Sequence, residues 1–127
     1  MGTESDKVLI LYVDDEDINL FIFDELFREE LDVLTTTSVE EALKLLKDPQ
    51  QRIRLLVTDL KMHPIGGMSF ANRVRDESIN IPIFILSAFP ATAEINDAIA
   101  KGIITAFFNK PLEPELMLAE VKRLTSN

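Results

Sequence analysis

Five short apolar runs recur along the chain, each followed by a stretch of helical spacing, and this alternation restricts the fold more than any other feature. The runs are "KVLILYV" (7–13), "DVLTTT" (32–37), "IRLLVTD" (53–59), "IPIFILS" (81–87) and "ITAFFN" (104–109). Continuous apolar runs with β-branched residues describe strands buried on both faces. "DVLTTT" is more polar and is predicted near a sheet edge.

The segments between them read as helices. Residues 17–30 carry apolar groups at Ile18, Phe21, Ile22 and Leu26, a helical spacing. Ser38 is placed as the N-cap of the next helix, with Glu41 completing a capping box and Ala42, Leu43, Leu45 and Leu46 on its apolar side. In "MSFANRVRDE" Phe70 and Val74 are predicted to face inward, and "TAEINDAIAKG" is stopped by Gly102. Pro114 suits the first turn of a last helix in which Met117, Val121 and Leu124 share a face. Strands alternating with helices imply a parallel sheet covered on both sides. The fold class predicted is a flavodoxin-like (βα)5 three-layer sandwich, its five strands in the order 2-1-3-4-5. One domain over residues 1–127, ordered from about 7 to 125, is expected.

Composition narrows the function. At 127 residues and 46% hydrophobic content there is ample material for one core. The chain has no cysteine, so thiolate metal sites and disulfides are excluded. No apolar stretch is long enough to span a bilayer and no secretory leader pattern opens the chain, so a cytoplasmic domain without membrane contact is expected. The formal net charge of −9 argues against binding a nucleic-acid backbone.

The chemistry is concentrated where the strands end. The first ends in Asp14–Asp15, the third in Asp59, the fourth in Ser87 and the fifth in Asn109–Lys110. In a parallel sheet these ends share one edge, so three carboxylates, a hydroxyl and an ammonium converge. Carboxylates that close repel one another unless a cation shares the site, and oxygen-only ligands favour a hard ion such as Mg²⁺. A lysine and a hydroxyl beside them suit the oxygens of a transferred phosphoryl group.

With these residues in place, the chain resembles the receiver domain of two-component response regulators over nearly its whole length. "VDDE" after the first strand, Asp59 followed by "LKM" and Gly67, the small hydroxyl residue in "ILSA", and "FFNKP" carry the resemblance. It implies that Asp59 accepts phosphate from the phosphohistidine of a sensor histidine kinase or phosphotransfer protein. It implies Mg²⁺ bound by Asp15, Asp59 and the backbone carbonyl of Lys61, with Asp14 acting partly through water. Ser87 and Lys110 would contact the phosphoryl oxygens. Ser87 and Phe107 would form the switch, and the Lys110–Pro111 bond would be cis. Such a domain is a signalling switch whose own reactions are self-phosphorylation from small donors and autodephosphorylation. The face of the fourth helix, fifth strand and fifth helix is expected to be read by a partner or by a second copy in a homodimer.

One departure from the family pattern is that His63 follows Met62 where proline is usual, with Pro64 one place later. The spacing from Asp59 to Gly67 is the usual one, so a rearranged loop is expected rather than a lost site. Plainer readings exist for single residues. Asp14–Asp15 suits a helix N-cap, Phe107 a half-buried core position, and His63 a loop position without a partner. A second function class is a Mg²⁺-dependent phosphatase forming an aspartyl-phosphate, as in haloacid-dehalogenase-type enzymes. Those need a second aspartate two residues after the nucleophile, where this chain has Lys61. A third is a phosphate-independent scaffold, against which the intact acidic set argues.

Overall fold

The structure, a computed structural model, describes residues 7–126. Its elements alternate from β1 (Leu9–Val13), α1 (Asp17–Phe27), β2 (Asp32–Thr36) and α2 (Val39–Lys47) to β3 (Ile53–Asp59) and α3 (Gly67–Asp76). β4 (Ile83–Ser87), α4 (Ala93–Ala100), β5 (Ala106–Asn109) and α5 (Pro114–Thr125) complete the chain. All strand pairs are parallel and the sheet order is β2-β1-β3-β4-β5, the flavodoxin-like arrangement expected. The more polar β2 lies at an edge.

Strand periodicity sorts side chains into two cores. Leu11, Val13, Leu56, Ile83 and Ile85 point to one face, under Ala42 and Leu43 of α2, Phe70 and Val74 of α3, and Ile95 of α4. Ile10, Tyr12, Leu55, Val57, Phe84 and Leu86 point to the other, under Phe23 and Phe27 of α1 and Met117 and Val121 of α5. Successive residues of a strand face opposite ways, so a continuous apolar run feeds both layers.

Packing settles which face of α1 meets the sheet, and one capping expectation is corrected. On α1 the residues that meet the sheet are Phe23 and Phe27, whereas Ile18, Phe21, Ile22 and Leu26 are 39–61% exposed. The helix is apolar on more than one side, and Leu20, Phe23 and Phe27 form a row spaced as regularly as that of Ile18, Ile22 and Leu26. Aromatic bulk decides between them, because Phe23 stacks on Tyr12 at 4.1 Å and Phe27 packs against Phe23. At α2 the Ser38 hydroxyl accepts from the Glu41 N–H at 3.0 Å, as expected of the N-cap. The Glu41 carboxylate does not return to the Ser38 N–H. It accepts instead from the Thr36 hydroxyl, which itself accepts from the Ser38 N–H. The box is closed through Thr36.

Helix ends at the edge remote from the carboxylates are pinned by backbone. After α4 the N–H of Ile103 bonds to the Ala98 carbonyl and that of Gly102 to Ile99, with Gly102 at φ 77°. This is the left-handed stop in which glycine avoids a Cβ clash. α3 ends in the same pattern, Ile79 to Val74 and Ser78 to Arg75, but with Ser78 at φ 62°. The Arg75 guanidinium locks this edge by donating to the carbonyls of Ile79, Ile81 and Ile103 at 2.8–3.0 Å. A non-glycine residue in the left-handed region costs about 1 kcal/mol. Ser78→Gly is therefore expected to stabilise the domain by roughly that amount in urea denaturation, with an unchanged m-value; a destabilised variant would contradict the strain argument.

Candidate functional site

The ladder register sets the site. Val13 pairs with Thr58 and Asp59 with Leu86, so Asp14 and Asp59 emerge side by side, with Ser87 and Asn109 paired across the next gap. Backbone bonds continue past the strand ends, from Leu60 N–H to Leu86 and from Lys110 N–H to Ser87, both at 2.8 Å. The loop after β3 is folded back hard. Gly67 N–H bonds to the Leu60 carbonyl at 2.8 Å, and a Cβ on Gly67 would collide with the Asp59 carbonyl oxygen. Only glycine lets the start of α3 lie against the backbone of Asp59, which accounts for a glycine at that spacing from the aspartate.

At the centre, Lys110 Nζ lies 2.6 Å from Asp59 Oδ1 and 3.7 Å from Asp14 Oδ2. Asp14 is 1% exposed and Asp59 8%. Asp59 Oδ2 accepts the Lys61 N–H at 3.1 Å, and Asp14 Oδ1 accepts the Glu16 N–H at 3.1 Å. Burial pushes the Asp59 carboxyl above the usual carboxylate range. Lys110 opposes that shift, Asp14 adds to it and the Lys61 N–H lowers it again.

The other predicted residues fall around this pair. Asp15 points to the β3–α3 loop, where its Oδ2 accepts the His63 backbone N–H at 2.9 Å. The loop carrying His63 is thus tied to the site by its backbone while the His63 residue is exposed. The His63–Pro64 and Lys110–Pro111 bonds are both cis, the second as the resemblance implied. Ser87 is buried and its hydroxyl accepts the Phe89 N–H at 2.9 Å, holding the β4–α4 loop; Asn109 donates to the carbonyls of the same two residues. Phe107 is half-buried against the α2–α4 core. Lys61 and Phe89 meet, with the ammonium 4.5 Å from the ring centroid.

One contributor was missed from sequence. The Tyr12 hydroxyl donates to Asp14 Oδ2 at 2.7 Å from within the core. The signal was present, because Tyr12 precedes Asp14 by two residues on a strand and so shares its face.

Among the described residues no three acidic or histidine side chains are close enough to enclose a metal ion. The three carboxylates expected to converge therefore do not: Asp14 and Asp59 meet at Lys110, while Asp15 is turned to the His63 N–H. The carboxylates present offer oxygen ligands only, a donor set that suits a hard ion such as Mg²⁺, which takes one or two carboxylates and keeps several waters.

Comparison with known proteins agrees with this geometry. The family described as the response regulator receiver domain matches residues 10–122. The heme response regulator HssR of Staphylococcus aureus is 30% identical over 116 residues, covering 91% of this chain and 50% of that protein. A solved response regulator receiver protein from Pseudomonas putida is 27% identical at a TM-score of 0.76, covering 94% of this chain and 99% of that one. The receiver domain of the Francisella response regulator 1452 superposes at a TM-score of 0.79 with 24% identity, covering 92% and 95%. The chain belongs to the response regulator receiver domain family of two-component signalling, whose members are signalling switches that generally use Mg²⁺ at the acidic pocket. It spans half the length of HssR.

The raised Asp59 carboxyl has a consequence for stability without divalent cations. The folded state holds this proton more tightly than the unfolded chain does. Its contribution is therefore most favourable below the ordinary carboxylate pKa and declines as pH rises to the raised folded value. Asp59→Asn is expected to be more stable than wild type at neutral pH and to lack that decline. Denaturation curves across the pH range check this, and equal stability at neutral pH would contradict it.

Proposed function

We propose that this chain, as a single receiver domain over residues 1–127, takes a phosphoryl group on Asp59 from a histidine-phosphorylated sensor kinase or phosphotransfer protein. The observation that carries the proposal is the 2.6 Å pair between Lys110 and Asp59 in a nearly closed carboxylate cluster. An oxygen of Asp59 forms the new bond to phosphorus as the donor imidazole leaves with the electron pair of the P–N bond. Lys110 supplies a fixed positive charge for the phosphoryl oxygens. Mg²⁺, held by Asp15, Asp59 and the Lys61 carbonyl with Asp14 acting through water, would offset further charge on the transferred group. The reactions are self-phosphorylation and autodephosphorylation, with no external substrate turned over.

The exposed apolar row of α1, Ile18, Phe21, Ile22 and Leu26, adjoins a groove of about 290 Å³ lined also by Lys110 and Leu112. That surface gives a protein donor apolar contact beside the site. For output, Ser87 moving toward the phosphoryl oxygens releases its bond to Phe89, and Phe107 turns into the space vacated. The surface of α4, β5 and α5 then changes, for a partner or a second copy to read.

Acetyl phosphate with Mg²⁺ is expected to add one phosphate to wild type and none to Asp59→Asn, read by intact-mass spectrometry. A modified Asp59→Asn protein would end the assignment.

Lys61 and Phe89 lie two residues after Asp59 and Ser87 and touch each other, and that contact would shield the phosphoryl group from hydrolytic water, giving slow dephosphorylation. Lys61→Ser with Phe89→Ser is expected to shorten the phosphoryl half-life roughly two- to fivefold, the equivalent of one exposed cation–π contact. An unchanged half-life would remove the shielding argument.

A further inference from the structure

A single ammonium stands between two buried carboxylates, 2.6 Å from Asp59 and 3.7 Å from Asp14. The two acids come from adjacent strands at paired register positions, so the sheet alone does not prefer one. Their hydrogen bonds do. Both oxygens of Asp14 are already bonded, Oδ1 by the Glu16 N–H and Oδ2 by the Tyr12 hydroxyl. On Asp59, Oδ2 has the Lys61 N–H, and among the described residues Oδ1 has no other donor than Lys110.

We propose that Tyr12 is a positioning residue for phosphoryl transfer: its hydroxyl takes the acceptor position on Asp14 that would otherwise draw Lys110 away from Asp59. The Tyr12–Asp14 bond is 2.7 Å long and joins a phenol 1% exposed to a carboxylate equally buried, so water does not compete for either group. An O–H bonded to a carboxylate is among the stronger neutral-to-charged contacts, and it withdraws negative charge from the very oxygen that faces Lys110. The ring cannot drift, because it stacks on Phe23 at 4.1 Å with an interplanar angle of 15°. The hydroxyl is thus held by the α1-side core and acts on the reaction only through Asp14.

The proposal rests on the phosphoacceptor reading of Asp59, and the variant that tests it is Tyr12→Phe. Phenylalanine keeps the ring and its stack on Phe23 and removes one oxygen. In that variant Oδ2 of Asp14 lacks its donor, and Lys110 moves onto it. Side-chain NMR of the Lys110 ε-methylene and ammonium, in the unphosphorylated protein, is expected to show a change of environment between wild type and Tyr12→Phe. A crystal structure of the variant would place Nζ within hydrogen-bond distance of Asp14.

With acetyl phosphate, the maximal phosphorylation rate at saturating Mg²⁺ is expected to fall about tenfold, since a misplaced catalytic group costs that much or more. The Mg²⁺ dissociation constant, titrated separately, would move by less than the rate does. A packing role for Tyr12 predicts a lower melting temperature with the rate and the Lys110 signals unchanged, and that result would overturn the proposal. If wild type takes up no phosphate, the phosphoacceptor reading fails, while the Lys110 signals still decide whether Tyr12 sets its pairing.

Discussion

The ion pair of Lys110 with Asp59 is the contact on which the rest of this molecule turns. A carboxylate that is nearly inaccessible, beside another even more so, is an unfavourable arrangement in a low-dielectric surrounding. One lysine from the neighbouring end of the sheet offsets part of the cost, and the raised Asp59 carboxyl shows that it does not offset all of it. What remains unbalanced favours further positive charge beside Asp59.

The architecture serves that pair from every side. Parallel order brings four strand ends to one edge, and the register places Asp14 opposite Asp59. The glycine at 67 lets α3 begin against the Asp59 backbone, and the His63 N–H ties the same loop to Asp15. At the opposite edge, Arg75 fastens the ends of α3 and the α4–β5 connection, so the scaffold is stiff where no chemistry occurs. The loops over the site, by contrast, are joined by the exposed Lys61–Phe89 contact, and among the described residues the Ser87 hydroxyl is committed only to the Phe89 N–H. Those are contacts that a new charge at Asp59 can rearrange.

Strand order, layer assignment and the meeting of Asp14, Asp59 and Lys110 were legible in the sequence because they follow from alternation and from where apolar runs stop, whereas Asp15 turns to the His63 N–H and the Ser87 hydroxyl to the Phe89 N–H. The orientation of α1 was not. Its helix carries apolar residues on more than one face, and helical spacing alone cannot say which face finds the sheet. The stack of Phe23 on Tyr12 resolves it, and that is a tertiary fact. Glu41 likewise went to the Thr36 hydroxyl instead of the Ser38 N–H, because β2 ends within reach of the α2 start. Tyr12 was absorbed into an apolar run by its ring, although its hydroxyl is the part that matters to the site.

Lys110 is either a positioned charge for phosphoryl transfer or only the counter-ion of a buried acid. Lys110→Arg separates these, since a guanidinium can still neutralise the cluster but cannot place its charge where the compact ammonium sits. The measurement is the initial rate of phosphate uptake from acetyl phosphate at saturating Mg²⁺, together with the melting temperature. If the charge is positioned, the variant folds with near-normal stability and its rate falls at least about tenfold, the scale set by misplacing a catalytic group. A variant that melts like wild type and phosphorylates as fast would show that the lysine serves the fold alone.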